Sequence, residues 1–264
     1  MLEGATVTYE ERGQGEPVVL LHGWNSSRRQ WLLNLKALAP RFRVIAPDLP
    51  GFGDSQENEA FPYTLDGMAS FLEAFRRALF LKSFHLVGHS MGGCIAIRYA
   101  AANPRTVHKL VLVSTPTRTA SMGLRALIPG TERLIAATYR FRSEKVLKWM
   151  FYRGLYQPER QNLDFVRANI QTAARTTRRA LCESVGMVRR MDLSDDLRHI
   201  EQPTLVIFGD RDRSVNPREA ERQRGLLAHP YLTVITACAH CPPFERADLF
   251  NTLVADFLQE EGSA

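Results

Sequence analysis

The chain is poor in cysteine and has no long apolar run, and each shortage excludes a class of protein. Its 264 residues include four cysteines, too few and too scattered for a disulfide framework. Cys238 and Cys241 form a CxxC, but no second half-site completes the four ligands of a structural zinc centre, so neither a metal nor another cofactor is expected. No apolar run reaches the roughly 18 residues of a membrane-spanning helix.

The N-terminal stretch also lacks the features of a secretory signal. Residues 1–17 are acidic and contain neither a basic region nor an apolar one, so a cytoplasmic location is expected. Apolar residues make up 45% of the chain and charged residues 23%, which is typical of a globular protein with a sizeable core. One domain carrying a substantial insertion is the simplest organisation.

Positive charge is concentrated in one internal segment. The net charge is +6, but residues 117–197 contain 15 Lys and Arg against 8 Asp and Glu, whereas the rest of the chain contains 19 against 20. The favoured interpretation is a solvated helical face. The alternative is attraction of an anionic substrate or an acidic surface. Nothing in the pattern indicates a nucleic-acid partner.

Short β-branched runs recur along the chain, and each leads into a turn and then a longer helical pattern. This alternation predicts an α/β fold, with a mostly parallel twisted sheet covered by helices on both faces. The predicted strands are Pro17–Leu21, Phe42–Ala46, Phe84–Val87, Lys109–Val113, Thr204–Phe208 and Leu232–Thr236.

The alternation stops for about ninety residues, between the strand that ends near Ser114 and the strand that starts near Pro203, which is longer than an ordinary connection. Amphipathic helices are predicted there, for example Glu144–Tyr152 and Leu163–Thr176. The predicted organisation is therefore a core formed by residues 1–116 and 198–264, with a helical cap, residues 117–197, inserted over the sheet.

Residues 88–92 read Gly-His-Ser-Met-Gly and match G-x-S-x-G, between a predicted strand and a helical run. In that context the pattern predicts a nucleophile elbow, a strained turn that presents Ser90 and needs small residues two positions before and after it. A serine hydroxyl needs a base and a group that orients the base. Loops after two later strands offer Asp210 or Asp212 as the acid and His240 as the base.

With these motifs the chain resembles the α/β-hydrolase superfamily over nearly its whole length apart from the insertion. The matching stretches are LLHGW (20–24), DLPGFGDS (48–55), GHSMGG (88–93), PTLVIFGDRD (203–212) and the AH of CAHCPPFE (238–245). The resemblance implies that Asp212, three residues after a glycine, is the catalytic acid. Asp210 is the competitor, with shaping of the turn as its other role.

The resemblance also implies two backbone N–H donors for the oxyanion, those of Trp24 and Met91. Trp24 is equally suited to forming a pocket wall. His22 and His89 lie inside the family's motifs, where they shape the oxyanion loop and the elbow, and His85 lies within a strand. The loop DLPGFGDS is expected to be architectural, so neither Asp48 nor Asp54 is assigned chemistry.

Serine at position 90 argues against the epoxide hydrolases and haloalkane dehalogenases of the family, which have an aspartate there. The expected activity is cleavage of carboxylic esters with short to medium acyl chains. Lactones and thioesters fall within the same chemistry. The alternatives are a carbon-carbon bond hydrolase of acidic diketones, a cofactor-free perhydrolase (haloperoxidase) and a non-catalytic binding protein. Substrate-binding residues are not assigned. Two roles are open for six apolar residues of the insertion: lining an acyl site or, more simply, forming the core of the insertion itself. They are Met122, Leu127, Phe141, Trp149, Phe151 and Tyr152.

Overall fold

A seven-stranded sheet forms the centre of the molecule. The computed structural model of the chain describes residues 4–122, 137, 139, 143–161 and 163–260. The strands follow the order β1-β3-β2-β4-β5-β6-β7, and every neighbouring pair is parallel except β1 with β3. The strands are β1 (Tyr9–Arg12), β2 (Pro17–Leu21), β3 (Arg43–Pro47), β4 (Phe84–His89), β5 (Val107–Val113), β6 (Thr204–Gly209) and β7 (Pro230–Ile235).

Helices connect the strands, as the alternating pattern predicts. The described α-helices are α1 (Leu32–Leu38), α2 (Leu65–Ala78), α3 (Met91–Ala102), α4 (Glu144–Arg153), α5 (Leu163–Ala173), α6 (Arg178–Arg189), α7 (Ser194–Arg198), α8 (Arg218–Arg224), α9 (Pro242–Glu245) and α10 (Ala247–Gln259). Single 3-10 turns occupy Arg28–Trp31, Thr119–Ser121 and Pro158–Arg160. Within the described part of the chain, no helix is long and apolar enough to cross a membrane.

Two hydrophobic layers bury the faces of the sheet. On one face α2 and α3 pack together, and their cluster includes Phe84 and Tyr99, both fully buried. On the other face α1 packs against α10, and their cluster includes Trp31 and Phe250. Helices on both faces explain why β4 and β6 are buried at every position.

The strand order reverses between β2 and β4. The chain leaves β2 for β3 on one side, whereas β4 is followed by β5, β6 and β7 on the other. In open α/β sheets, ligands bind at the carboxyl ends of the strands, where the order reverses. The loop after β2 and the turn after β4 meet at this position.

Four described helices, α4 to α7, lie between β5 and β6 in the chain. The predicted helices Glu144–Tyr152 and Leu163–Thr176 correspond to α4, which ends one residue later, and α5, which ends at Ala173. Leu147, Leu155, Val166 and Ile170 form a third apolar cluster with Phe244. The division of the chain into residues 1–116 and 198–264 against residues 117–197 stays a prediction.

Candidate active site

Ser90 lies at the turn between β4 and α3. Its φ of 52° and ψ of −116° are strained for a residue with a side chain. Its backbone N–H donates to the carbonyl of Val113 at 2.9 Å, which fixes the turn against the neighbouring strand β5. The turn presents the hydroxyl at the carboxyl end of β4, where the strand order reverses.

The glycines around Ser90 are required by close backbone contacts. A Cβ on Gly88 would lie 2.5 Å from the carbonyl oxygen of Gly92, and a Cβ on Gly92 would lie 2.3 Å from that of Leu21. The backbone of Leu21 cannot move aside cheaply, because Leu21 is in the central strand β2. The small residues of G-x-S-x-G therefore let α3 start directly against the sheet.

His240 reaches Ser90 from the turn after β7. Its Nε2 lies 3.1 Å from Ser90 Oγ, and its Nδ1 lies 2.8 Å from Asp212 Oδ2. Because an ionised carboxylate only accepts, Nδ1 carries the proton and Nε2 is free to accept from the serine hydroxyl. The structure thus brings together Ser90, His240 and Asp212, which are far apart in the sequence.

Asp212, rather than Asp210, contacts the histidine. The second carboxylate oxygen of Asp212 accepts from the backbone N–H groups of Ser214 and Val215, at 2.8 and 3.0 Å. Asp210 Oδ1 instead accepts from the N–H of Cys238 at 3.3 Å, which links the turns after β6 and β7. Asp210 is thus part of the framework of these turns.

Electrostatics favour a charged pair. Burial opposes ionisation of Asp212, but the charge and hydrogen bond of His240 and the two backbone donors outweigh it and lower its pKa. Burial likewise opposes the imidazolium of His240, but Asp212, with a smaller contribution from Glu245, outweighs it and raises its pKa. The site therefore supports the positive charge that His240 acquires when it takes a proton.

The two other histidines near the site are held neutral. His89 Nε2 donates to the carbonyl of His240 at 2.7 Å, and burial, followed by the nearby His240, lowers the pKa of His89 to about 3. His22 Nδ1 donates to the carbonyl of Gly23 at 2.8 Å, while its Nε2 accepts from the N–H of Leu49 at 3.0 Å. These bonds brace the turn of His240 and the loop after β2.

Two backbone donors face the same region. Met91 is the first residue of α3, so its N–H has no partner within the helix. Trp24 follows Gly23 in the loop after β2, and a Cβ on Gly23 would lie 3.4 Å from that of Ser90. Among the described residues, no protein group accepts from the N–H of Met91 or Trp24.

The side chain of Trp24 has a separate role. Its Nε1 donates to the carbonyl of Leu181 in α6 at 3.1 Å, and the residue is partly buried. A residue expected to supply a backbone donor therefore also ties the segment between β5 and β6 to the loop after β2.

The six apolar residues that were considered for an acyl site in that segment differ in their surroundings. Phe151 and Tyr152 pack against the third apolar cluster, and the rings of Phe151 and Phe244 lie 6.1 Å apart. Trp149 is 55% exposed, with the guanidinium of Arg153 over its ring. Met122 packs against the main core. Leu127 and Phe141 lie outside the described residues.

Asp48 is a framework residue whose contacts the sequence does not reveal. Its carboxylate accepts from the N–H of Arg28 at 2.6 Å and from the N–H of Asp54 at 2.9 Å, and it pairs with the Arg28 guanidinium. Asp54 also pairs with Arg175, in the turn that follows α5. The loop DLPGFGDS is therefore bonded to the segment beside it.

Neither CxxC cysteine is bridged. Burial raises the pKa of both Cys238 and Cys241, which disfavours the thiolate that metal binding and redox chemistry require. Within the described part of the chain, no group of three His, Cys, Asp or Glu is arranged to hold a metal ion.

Comparison with known proteins agrees with this architecture. The α/β-hydrolase fold family matches residues 16–247. A 2-hydroxy-6-oxononadienedioate/2-hydroxy-6-oxononatrienedioate hydrolase from Pseudomonas putida is 32% identical over 260 residues, which are 95% of this chain and 91% of that protein. A pimeloyl-[acyl-carrier protein] methyl ester esterase from Vibrio cholerae is 27% identical over 256 residues, 94% and 96% of the two chains.

A solved structure extends the comparison to three dimensions. The thermophilic esterase from Thermogutta terrifontis superimposes with a TM-score of 0.85 at 27% identity, covering 97% of this chain and 94% of its own. The match to the family over most of the chain, together with the strand order and the elbow after β4, leads to one assignment. The protein belongs to the α/β-hydrolase fold family.

Proposed function

We propose that the protein hydrolyses carboxylic esters through an acyl-enzyme formed on Ser90. The observation that carries the proposal is the line of hydrogen bonds from Ser90 Oγ through the His240 ring to Asp212. In this line the base has its free nitrogen directed at the nucleophile, and the acid holds the tautomer that this requires. The names of the relatives from Pseudomonas and Vibrio, a hydrolase and an esterase, support hydrolysis.

The proposed reaction has two halves. Ser90 Oγ attacks the ester carbonyl while His240 Nε2 takes the hydroxyl proton, and His240 then returns that proton to the departing alcohol. Water next attacks the acyl-enzyme, with its proton passing through His240 to Ser90 as the carboxylic acid leaves. Asp212 stabilises the imidazolium in both halves and stays ionised.

Trp24 and Met91 are proposed to stabilise the oxyanion through their backbone N–H groups. Both N–H groups lack a protein acceptor within the described residues, as a preorganised donor pair requires. Met91 adds the N-terminus of α3, where the helix dipole favours negative charge.

The segment of residues 117–197 is proposed to act as a cap that shapes the acyl and alcohol sites. Supporting this, its described part contacts the site from two sides. The carbonyl of Gly154 accepts from the N–H of His240 at 3.0 Å, and that of Leu181 accepts from the Trp24 indole. No individual side chain is assigned to substrate binding.

The test is covalent labelling combined with turnover. Incubation with a fluorophosphonate, followed by mass spectrometry, is expected to label Ser90, and p-nitrophenyl esters from acetate to octanoate are expected to be hydrolysed. Ser90→Ala is the matched control, because it removes one oxygen atom. Failure of the wild-type protein both to be labelled and to cleave any ester of the series would reject the proposal.

A second candidate is hydrolysis of a carbon-carbon bond in an acidic diketone. The relative from Pseudomonas putida, at 32% identity, is named for a dienedioate substrate, and residues 117–197 contain an excess of positive charge. The two candidates are separated by comparing kcat/KM for a 2-hydroxy-6-oxo-dienedioate with kcat/KM for the best p-nitrophenyl ester. A clear preference for the diketone would favour the second candidate.

A further inference from the structure

Glu245 occupies an unusual place beside the proposed base. It lies at the end of α9, just after the turn of His240, and the residue is partly buried. Oε1 accepts from the backbone N–H of Cys241 at 2.9 Å, and Oε2 accepts from that of Ala239 at 3.2 Å. One carboxylate therefore holds the residues on both sides of His240.

The same carboxylate reaches into the segment between β5 and β6. Oε2 also accepts from the N–H of Tyr156 at 2.6 Å, two residues after Gly154, whose carbonyl accepts from His240 N–H. His89 also donates to the carbonyl of His240. Both backbone polar groups of His240, and the N–H groups of Ala239 and Cys241 on either side of it, are therefore hydrogen-bonded. Glu245 accepts from three backbone N–H groups, which neither a shorter nor an uncharged side chain can match.

We propose that Glu245 is a positioning residue for His240, holding its turn in the geometry in which Nε2 faces Ser90 and adding a second negative charge behind the imidazole. The proposal rests on the proposed role of His240 as base. On this proposal Glu245 contributes to the reaction through His240. The alternative is a purely structural role, in which Glu245 only terminates α9.

The charged and polar groups that face His240 are Asp212 from the turn after β6, His89 from β4, Ser90 from the elbow and Glu245 from the helix after β7. The titratable Cys241 is the next residue in the chain. Of these, the two carboxylates both stabilise the imidazolium of His240, and Asp212 does so more strongly. Removing the charge of Glu245 should therefore lower the pKa of His240 without breaking its bond to Asp212.

The experiment compares Glu245→Gln with Asp248→Asn, using the whole protein and a p-nitrophenyl ester. Asp248 is exposed and three residues further on, so its substitution removes the same charge from the same region. An amide has a single acceptor oxygen, so Gln cannot hold both sides of the turn. We expect Glu245→Gln to lower kcat by about 10- to 100-fold with little change in KM, as a small displacement of the base would. We expect Asp248→Asn to match the wild type.

The pH profile separates positioning from general structural support. In Glu245→Gln the acid limb of kcat/KM should move to lower pH, whereas in Glu245→Asp, which keeps the charge but loses reach, kcat should fall while the acid limb stays. If Glu245→Gln does not fold, Glu245→Asp carries the test. A wild-type kcat in whichever variant folds, or equal acid limbs in wild type and Glu245→Gln, would overturn the proposal. An unlabelled Ser90 in the wild type would instead reject the proposed function.

Discussion

At the residue scale, the two aspartates of the turn after β6 provide a direct test of the acid. Asp212 Oδ2 lies 2.8 Å from His240 Nδ1. Asp212→Asn presents either an amide N–H that cannot accept from Nδ1 or an oxygen without the charge, so it disfavours the productive tautomer. We expect kcat for a p-nitrophenyl ester to fall by about 10⁴-fold, measured under saturating substrate.

Asp210→Asn is the matched control for that substitution. In the wild type, Asp210 Oδ1 accepts from the N–H of Cys238, and the side-chain oxygen of Asn can accept the same hydrogen bond. We expect kcat within about threefold of the wild type, since the substitution leaves the contacts of His240 intact. Comparable losses in the two variants would contradict the assignment of Asp212.

The pH dependence of the reaction follows from the raised pKa of His240. Burial opposes the charged imidazole, but Asp212 and Glu245 outweigh burial, so the pKa lies above the ordinary value of about 6.5. Protonated Nε2 cannot accept from Ser90, so activity is present above this pKa and is lost as the pH falls through it. The midpoint of the acid limb of kcat/KM should lie above about 6.5. A midpoint below that value would contradict the electrostatic account.

The candidate nucleophile, base and acid could all be predicted from the sequence, because each belongs to a short motif at the end of a strand. Glu245 could not be, although CAHCPPFE contains it. Its three partners are backbone N–H groups, which have no signature in the residue types, and one of them, Tyr156, lies 89 positions away. The indole bond of Trp24 to Leu181 escapes prediction for the same reason.

At the element scale, the elbow depends on the contact of α3 with β2. A Cβ on Gly92 would lie 2.3 Å from the carbonyl oxygen of Leu21, so Gly92→Ala must shift backbone in the centre of the sheet. We expect the free energy of unfolding to fall by about 3 kcal/mol, measured by urea denaturation. Activity should fall as well, because Ser90 moves with the turn.

Gly225→Ala is the control for that measurement. Gly225 follows α8 with a φ of −74°, and a Cβ there would meet carbonyl oxygens no closer than 3.6 Å. We expect a change of less than about 0.5 kcal/mol in the free energy of unfolding. Equal destabilisation by the two substitutions would show that the contact of Gly92 with Leu21 is not the cause.

The six predicted strands appear in the structure with no end shifted by more than two residues, and Pro17–Leu21 is matched at both ends. The apolar runs of β5 and β6 are the signature of strands buried on both faces, whereas β7, at the other edge of the sheet, is largely exposed or half-buried. The apolar pattern does not predict strand β1, since Tyr9–Arg12 reads Tyr-Glu-Glu-Arg and is almost wholly exposed. It pairs antiparallel with β3 at the edge of the sheet, where burial imposes no apolar pattern.

At the scale of the whole molecule, the remaining question is what the positive charge of residues 117–197 does. Part of it is neutralised within the fold. Arg175 pairs with Asp54, and Arg179 pairs with Glu183 and donates to the carbonyl of Phe61. On α4, however, Lys145, Lys148 and Arg153 are exposed. These cations lie on the helix whose C-terminal neighbour, Gly154, is bonded to His240.

A cationic surface this close to the proposed base should raise the local concentration of an anionic substrate, and salt should screen the effect. The matched pair is monomethyl adipate and methyl hexanoate, which present the same methyl ester on a charged and a neutral acyl chain. Between about 0.05 and 0.5 M NaCl we expect kcat/KM for the adipate to fall about threefold more than for the hexanoate. Lys148→Gln, which removes one exposed cation, should reduce that difference. Equal salt dependence of the two esters would leave the charge as a solvated helical face, because a field that does not act on the carboxylate of the adipate cannot distinguish the two acyl chains.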